Sequence, residues 1–294
     1  MNKITLLCSV IAFSFVATAQ TTDYYTAAQR AEWLQKSEAA KPPLIATDKK
    51  PVGIVKIVED TTAYQGWKTE KSFDIDEFYK KSLRDQSGIV LDFGEHLTGY
   101  VRFAVTPIDK TPDAPARIKF TFGEVPAEIA TPFDPYPGGL SRAWLQDETV
   151  TVMLVPDTIT IPRRLSFRYV KIELVGAPSY PFAISAIHCD ALTSVATVAE
   201  PLAPATPTLF REIDRVGLAT LKECMQSVYE DGPKRDQRLW IGDLYLEALA
   251  NAYSFKNHLL TKRCFYLLAA LADESGFLNA CVFEKPTPHP QAKQ

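Results

Sequence analysis

Four carboxylates, three cations and a tryptophan lie within residues 230–243. The stretch runs Glu-Asp-Gly-Pro-Lys-Arg-Asp-Gln-Arg-Leu-Trp-Ile-Gly-Asp and separates two apolar segments of helical character. Carboxylates transfer protons and accept hydrogen bonds from hydroxyl groups, and an indole ring stacks on apolar surfaces. This combination is typical of proteins that act on carbohydrates.

The same residues also fit an ion-paired turn between two helices. Asp231, Asp236 and Asp243 would then be neutralised by the three cations of the stretch. Composition alone supports both interpretations equally, since each requires opposite charges close together. The order of the residues favours a functional site.

That order closely resembles the acidic motif of glycoside hydrolase family 78, the α-L-rhamnosidases, and of related six-hairpin glycosidases. In the family an Asp-x-x-x-Arg-(Asp/Glu) run is followed by Trp-x-Gly-Asp. The matching positions in this chain are Asp231, Arg235, Asp236, Trp240, Gly242 and Asp243.

The resemblance implies a role for each matching side chain. Asp236 occupies the place of the general acid, where the family usually has Glu. Asp231, Arg235, Trp240 and Asp243 would bind the sugar. Asp is one methylene shorter than Glu, and misplacement by about 1 Å can lower a rate about 100-fold. An inverting hydrolase also needs a base across the ring; the family's base comes from a later part of its barrel, and no residue here is assigned to it.

Two stretches before the acidic motif strengthen the resemblance. Residues 91–101 are similar to the family's Asp-Phe-Gly-x-x-x-x-Gly strand pair, and residues 167–170 to its Phe-Arg-Tyr-Val strand. Residues 122–125 are a weaker third match. Asp92, Glu95 and His96 are interpreted as strand and turn residues, because a lone His beside a Glu usually has a structural role.

Short runs of alternating polar and apolar residues fill the chain from 51 to 195. Alternation with period two buries one face of a strand, and several such runs separated by Gly, Pro and Asp turns predict an antiparallel β-sandwich. The expected strands are 53–58, 88–93, 99–105, 117–122, 148–155 and 168–174.

The chain after residue 206 has helical character. One helix is expected from about 207, capped by Thr206 or Thr208, to about Tyr229, and others over 241–255 and 259–273. By resemblance these are the first helices of an incomplete α/α toroid, or six-hairpin barrel, because twelve helices need over about 200 residues. The chain is then a fragment of a longer protein, which is the favoured interpretation, or a truncated relative that pairs with another chain.

These patterns give a β + α multidomain organisation. It comprises a signal peptide at 1–19, a lead segment at 20–50, the β-sandwich at 51–195, a Pro- and Ala-rich linker at 196–206 and the N-terminal part of the toroid at 207–294. The basic start, short apolar run and Ala-Thr-Ala site at 17–19 predict export to the periplasm or the extracellular space, with no membrane anchor after cleavage.

A carbohydrate substrate is the expected partner, together with the missing C-terminal part of the catalytic domain. The net charge of −3 and the lack of a basic patch argue against nucleic acid, and no metal or cofactor is expected. Four cysteines outside the signal peptide show no metal-binding spacing, and the sequence does not pair them. The alternative from another functional class is a non-catalytic carbohydrate-binding or structural β-sandwich protein.

Overall fold

A computed structural model describes residues 23–111, 114–176 and 180–291. The predicted signal peptide, residues 1–19, lies outside the described residues. The chain forms a β-rich region followed by a helical region, as the sequence predicts. The helices are α1 (Ala27–Ala39), α2 (Ile75–Phe78), α3 (Pro126–Ala130), α4 (Thr208–Cys224), α5 (Ile241–Tyr253) and α6 (His258–Ala270).

Within the described part of the chain, nine antiparallel strands build the β-sandwich, and β4 belongs to both of its layers. The N-terminal half of β4 pairs with β2 and β8, and its C-terminal half pairs with β7 and β9. The strands are β1 (Ile45–Lys49), β2 (Gly53–Glu59), β3 (Trp67–Lys71), β4 (Ile89–Pro107), β5 (Ala116–Gly123), β6 (Gln146–Val152), β7 (Asp157–Thr160), β8 (Leu165–Leu174) and β9 (Phe182–Thr193).

Alternating side chains fill the space between the two layers. In β5, Ile118 and Phe120 are fully buried, whereas the intervening Lys119 is partly exposed. Phe120 packs on Phe103 with ring centroids 4.7 Å apart, and aromatic pairs of this kind stabilise a core beyond their buried area. The period-two pattern therefore identified the core-facing residues correctly.

The Asp-Phe-Gly stretch interrupts the pairing of β4 with β8, which resumes at Leu97. The register of β4 against β8 shifts between Asp92 and Leu97, and Gly94 there has a φ of 80°. Asp92 accepts a hydrogen bond from the Gly94 N–H at 2.7 Å. It also accepts hydrogen bonds from Nε and Nη2 of Arg168, at 2.8 and 2.9 Å. The two strands expected at 88–93 and 99–105 are consequently one strand.

Several boundaries differ from the sequence-based prediction. The strands β1, β3, β7 and β9 were not predicted, and α4 ends at Cys224 instead of Tyr229. Pro207 takes the N-cap position of α4, where Thr206 or Thr208 was expected, and its side chain forms no cap hydrogen bond. Residues 196–206 carry no helix or strand, which fits their assignment as a linker but does not test the domain division.

The helical region includes α1, which lies before the sandwich in sequence. Arg263 of α6 is 1% exposed and donates hydrogen bonds to the carbonyl oxygen of Ser37 at 2.8 Å and to Glu38 at 2.9 Å. It also donates to Glu284 at 2.6 Å and to the carbonyl oxygen of Ser227 at 2.7 Å. None of the helices within the described residues is long and apolar enough to span a bilayer. Cys189, Cys224, Cys264 and Cys281 are buried free thiols.

Candidate active site

The acidic motif forms a hydrogen-bonded loop between α4 and α5. We call residues 231–238 the acidic loop. Its ends are joined by the Asp231 N–H to the Arg238 carbonyl at 3.1 Å, and the Arg238 N–H donates to the Asp231 carboxylate at 3.2 Å. Asp236 and Gln237 have φ values of 64° and 54°, a left-handed conformation that non-glycine residues rarely adopt. The loop is therefore a defined structure and not a continuation of α4.

A short three-stranded sheet follows the loop and leads into α5. It consists of β10 (Leu239–Trp240), β11 (Cys281–Phe283) and β12 (His289–Pro290), with Trp240 opposite Cys281. Asp243 lies in the first turn of α5, where a carboxylate interacts favourably with the helix dipole. This sheet fixes the path from Asp236 to Asp243.

The three aspartates of the motif share one electrostatic environment. Burial first, then the nearby carboxylates of Asp236 and Asp243, raise the pKa of Asp231 to about 6. None of the three forms an ion pair with any described residue. Close carboxylates without counter-charges repel one another, which favours a ligand that donates hydrogen bonds and, at Asp231, a bound proton.

Glu247 is a fourth carboxyl group of this cluster, and the sequence analysis missed it. Burial, followed by the charges of Asp243 and Asp231, raises its pKa to about 8, while a hydrogen bond from the Cys224 thiol acts in the opposite direction. Its Oε2 is buried without a hydrogen-bond partner among the described residues. The i,i+4 spacing from Asp243 on α5 was a signal that could have identified it.

The cations of the loop do not neutralise these aspartates. Lys234 binds Glu124 at 3.2 Å and Glu128 more closely, both in the sandwich, and Arg238 lies over the ring of Phe283 at 4.2 Å from its centroid. Arg235 is exposed and forms no ion pair or hydrogen bond within the described part of the chain. The ion-paired turn considered for this stretch is thus not the arrangement observed.

Trp240 lies half-buried at the start of α5. Its indole Nε1 is buried and has no acceptor among the residues that the structure describes. A buried indole N–H usually finds an acceptor, so this donor is available to an acceptor from outside the described residues. The structure thus brings Asp231, Asp236 and Asp243 into mutual electrostatic contact, with Trp240 beside them in sequence; their functional roles remain predictions.

A cavity next to the acidic loop lies between α4 and the β-sandwich. It has a volume of about 690 Å³, and Pro233 is the one residue of the acidic loop among those that line it. His96 and Glu124 border this cavity and bind each other at 3.0 Å, while Glu95 pairs with Lys49 at 2.6 Å. The aspartates of the motif do not line it.

The described residues thus form a β-sandwich that leads into helices, with a loop of aspartates that have no counter-ions among these residues and a tryptophan at the start of α5. Residues 51–191 match the glycosyl hydrolase family 78 alpha-rhamnosidase N-terminal domain. This part of the chain belongs to glycoside hydrolase family 78, and the chain resembles the rhamnosidases of that family.

Solved structures extend the similarity beyond the sandwich. A rhamnosidase from Klebsiella oxytoca with rhamnose bound is 37% identical, with a TM-score of 0.84 over 90% of this chain and 51% of that one. The chain therefore spans about half the length of that relative. A comparison with curated proteins gave no match.

Two more distant relatives share the fold alone. The family 78 rhamnosidase of Bacillus sp. GL1 is 23% identical, with a TM-score of 0.54 over 68% of this chain and 19% of that one. The α-L-rhamnosidase of Streptomyces avermitilis complexed with L-rhamnose is 18% identical, with a TM-score of 0.52 over 82% and 20% of the two chains.

Proposed function

We propose that this chain is the N-terminal portion of an exported glycoside hydrolase that acts on terminal α-L-rhamnose or a similar sugar. The observation that carries the proposal is the cluster of Asp231, Asp236 and Asp243, which have no counter-ions within the described residues. The likeness to a rhamnosidase solved with rhamnose bound supports the choice of sugar.

In this proposal the sugar forms the hydrogen bonds that the described residues leave unmade at these side chains. Asp231 and Asp243 accept hydrogen bonds from ring hydroxyls, and Trp240 packs on the apolar face of the ring. Arg235, which has no partner among the described residues, contacts the sugar or orients a carboxylate. Asp236 donates the proton to the leaving oxygen.

Hydrolysis with inversion requires an ionised base on the opposite face of the sugar. Glu247 is poorly suited to that role, because its pKa of about 8 keeps most of it protonated at neutral pH. We therefore propose that the base comes from a segment outside this chain. The chain alone should bind the sugar but not turn it over.

The exposed apolar side chains of the helical region support the need for such a segment. They lie at helical spacing on α4 and α5, and a surface of this kind normally packs against another element. These residues are Leu209, Phe210, Ile213, Val216, Tyr245, Leu246, Leu249 and Tyr253.

Binding of L-rhamnose, measured by isothermal titration calorimetry or saturation-transfer NMR, tests the proposal. Wild type should bind weakly, Asp243→Asn and Trp240→Ala should abolish binding, and Asp157→Asn on the remote strand β7 should leave it unchanged. An aryl α-L-rhamnoside should not be hydrolysed above background by the chain alone. Absence of sugar binding, or turnover that vanishes in Asp236→Ala, would contradict the proposal.

Export is a separate part of the proposal and has its own test. The predicted cleavage after Ala19 should give a mature protein that begins at Gln20 or Thr21. Intact mass spectrometry of secreted material measures this directly. A mature chain that begins at Met1, or one that is lipidated on Cys8, would refute cleavage after Ala19.

A further inference from the structure

The acidic loop and the residue before it are attached to the β-sandwich at two points of opposite charge. Arg164, just before β8, donates to both carboxylate oxygens of Glu230 at 2.8 and 2.6 Å. These side chains are 15% and 4% exposed. Four residues later Lys234 binds Glu124 and Glu128, which follow β5. The two contacts lie on either side of Asp231 in sequence.

The contact at Lys234 is part of a wider network. Glu124 also binds His96 Nε2 at 3.0 Å, and His96 Nδ1 lies 3.5 Å from Glu223 in the last turn of α4. Burial lowers the pKa of His96, but its hydrogen bond to Glu124 and the nearby charges of Glu124 and Glu223 outweigh this and raise the pKa to about 9. His96 is therefore a cation at neutral pH, and the network joins β4, α4 and the acidic loop.

We propose that the β-sandwich positions the carboxylates of the acidic loop through these two contacts, with Glu230 and Lys234 as the positioning residues. The inference deepens the proposed function and rests on it, because Asp231 and Asp236 are the groups that are positioned. Neither Glu230 nor Lys234 is required to touch the sugar.

The opposite polarity of the two contacts fixes the orientation of the loop. At one point a cation of the sandwich binds an anion of the chain, and at the other two anions of the sandwich bind a cation. Any displacement that exchanged the contacts would place like charges together, which is unfavourable. The loop therefore docks in one way.

The backbone of the loop explains why it needs external support. The left-handed conformations of Asp236 and Gln237 are intrinsically unfavourable, and such residues persist where surrounding contacts over-determine them. Within the loop, the Gln237 N–H donates to the Gly232 carbonyl at 3.2 Å and its side chain to the Pro233 carbonyl at 2.7 Å. Loss of the sandwich contacts should let this local structure open.

Hydrogen exchange measured by mass spectrometry on the whole chain tests the contact at Lys234. Lys234→Met, and separately the shape-preserving double change of Glu124→Gln with Glu128→Gln, should accelerate exchange over 231–238 about tenfold or more. Exchange over α6 should not change. The matched control is Lys119→Met, whose ion pair with Asp147 at 3.6 Å lies within the sandwich.

A charge exchange separates positioning from general destabilisation. Lys234→Glu alone should expose the loop, and Lys234→Glu combined with Glu128→Lys should restore its protection. Arg164→Met should accelerate loop exchange, whereas the neighbouring change Arg163→Met should not. Unchanged loop exchange in the Lys234 and glutamate variants, or equal acceleration over the loop and α6, would overturn the inference.

Sugar binding is measured apart from exchange, so the two proposals can fail separately. Exchange is recorded without sugar and reports the contacts alone. L-rhamnose titration of Lys234→Met should show binding about tenfold weaker than wild type, with Lys119→Met unchanged. A loop that opens in the variants while wild type binds no L-rhamnose would refute the proposed function and leave the two contacts established. Equal sugar affinity in wild type and Lys234→Met would overturn the positioning role.

Discussion

The charged residues in and next to the acidic loop fall into two groups with opposite electrostatic environments. On the side of the sandwich, Glu230 and Lys234 are each ion-paired with partners far away in sequence. On the other side, Asp231, Asp236 and Asp243 have no counter-ion among the described residues, and Trp240 Nε1 has no acceptor there. The paired charges stabilise the folded protein. The aspartates without a counter-ion are available to a ligand.

The comparison also explains the distribution of raised carboxyl pKa values. Glu230 is buried, and burial raises its pKa to about 7 even though Arg164 opposes the shift. Glu247 has no cation beside it among the described residues, and its pKa rises further, to about 8. The cation beside Glu230, more than the depth of burial, explains why the two pKa values differ.

The largest effect on stability is expected from Arg164→Met. It leaves Glu230 buried without a cation, and removal of one partner of a buried pair costs about 3–5 kcal/mol. A carboxyl group with a raised pKa favours folding at low pH and loses that contribution as the pH rises through its folded-state pKa. The loss measured by urea unfolding should therefore be greater at about pH 8 than at about pH 6.

The neighbouring change Arg163→Met provides the control. Arg163 pairs with Glu148 at 3.3 Å, and both side chains are about a third exposed, so its removal should cost at most about 1 kcal/mol. Equal losses of unfolding free energy for the two variants would mean that the contact between Arg164 and Glu230 stabilises the protein no more than the exposed ion pair does.

An intermediate effect is expected from Glu247→Gln, on the unpaired side of the loop. As the pH rises from about 4.5 to about 8, wild type should lose stability, because the folded protein holds a proton that the unfolded chain releases. The variant cannot ionise there and should be more stable at about pH 8 by about 1–3 kcal/mol. Thermal unfolding across this pH range measures the difference.

The exposed carboxylate of Glu212, paired with Arg215 on α4 at 2.9 Å, serves as the control. Glu212→Gln should leave the pH profile of stability unchanged. A Glu247→Gln variant whose profile still parallels wild type would show that Glu247 is ionised and solvated in the folded protein.

The smallest effect is expected from Trp240→Phe. The change removes a buried N–H that has no acceptor in the described residues, so the unfolding free energy should change by less than about 1 kcal/mol. Tyr229→Phe is the contrasting variant, because its hydroxyl is hydrogen-bonded to Thr261 at 2.9 Å and its loss should cost about 1 kcal/mol. A loss of unfolding free energy above about 2 kcal/mol in Trp240→Phe would show that the indole stabilises the fold, as the paired charges do.

The sequence predicted the β-sandwich and five of its strands, because runs such as residues 117–122 alternate polar and apolar side chains. It could not show that β4 is one strand, because Gly94 and Gly99 resemble turn residues. Gly99 lies so close to β9 that an added Cβ would be 2.2 Å from the Asp190 carbonyl oxygen, which explains a glycine inside a strand. The same residue type thus marks close packing here and turns elsewhere.

Prediction of the helical region was limited by tertiary contacts. Val228 and Tyr229 continue an apolar helical spacing, yet they follow the end of α4 and are buried in a bridge in which Met225 pairs with Tyr229. The motif order identified the aspartates that the structure groups together. The partners of Lys234 lie more than 100 residues earlier and leave no local signal.

The packing of α1 against α6 has a consequence for the time course of synthesis. Glu38 meets Arg263 across a separation of 225 residues, with the entire sandwich between them. At about 5–20 residues per second, a ribosome needs on the order of 10 to 45 s to make that stretch. During this interval α1 has no binding surface, and its thirteen residues are too few for stable helix in water. Helix α1, the first helix among the described residues, is therefore among the last elements to gain its native contacts.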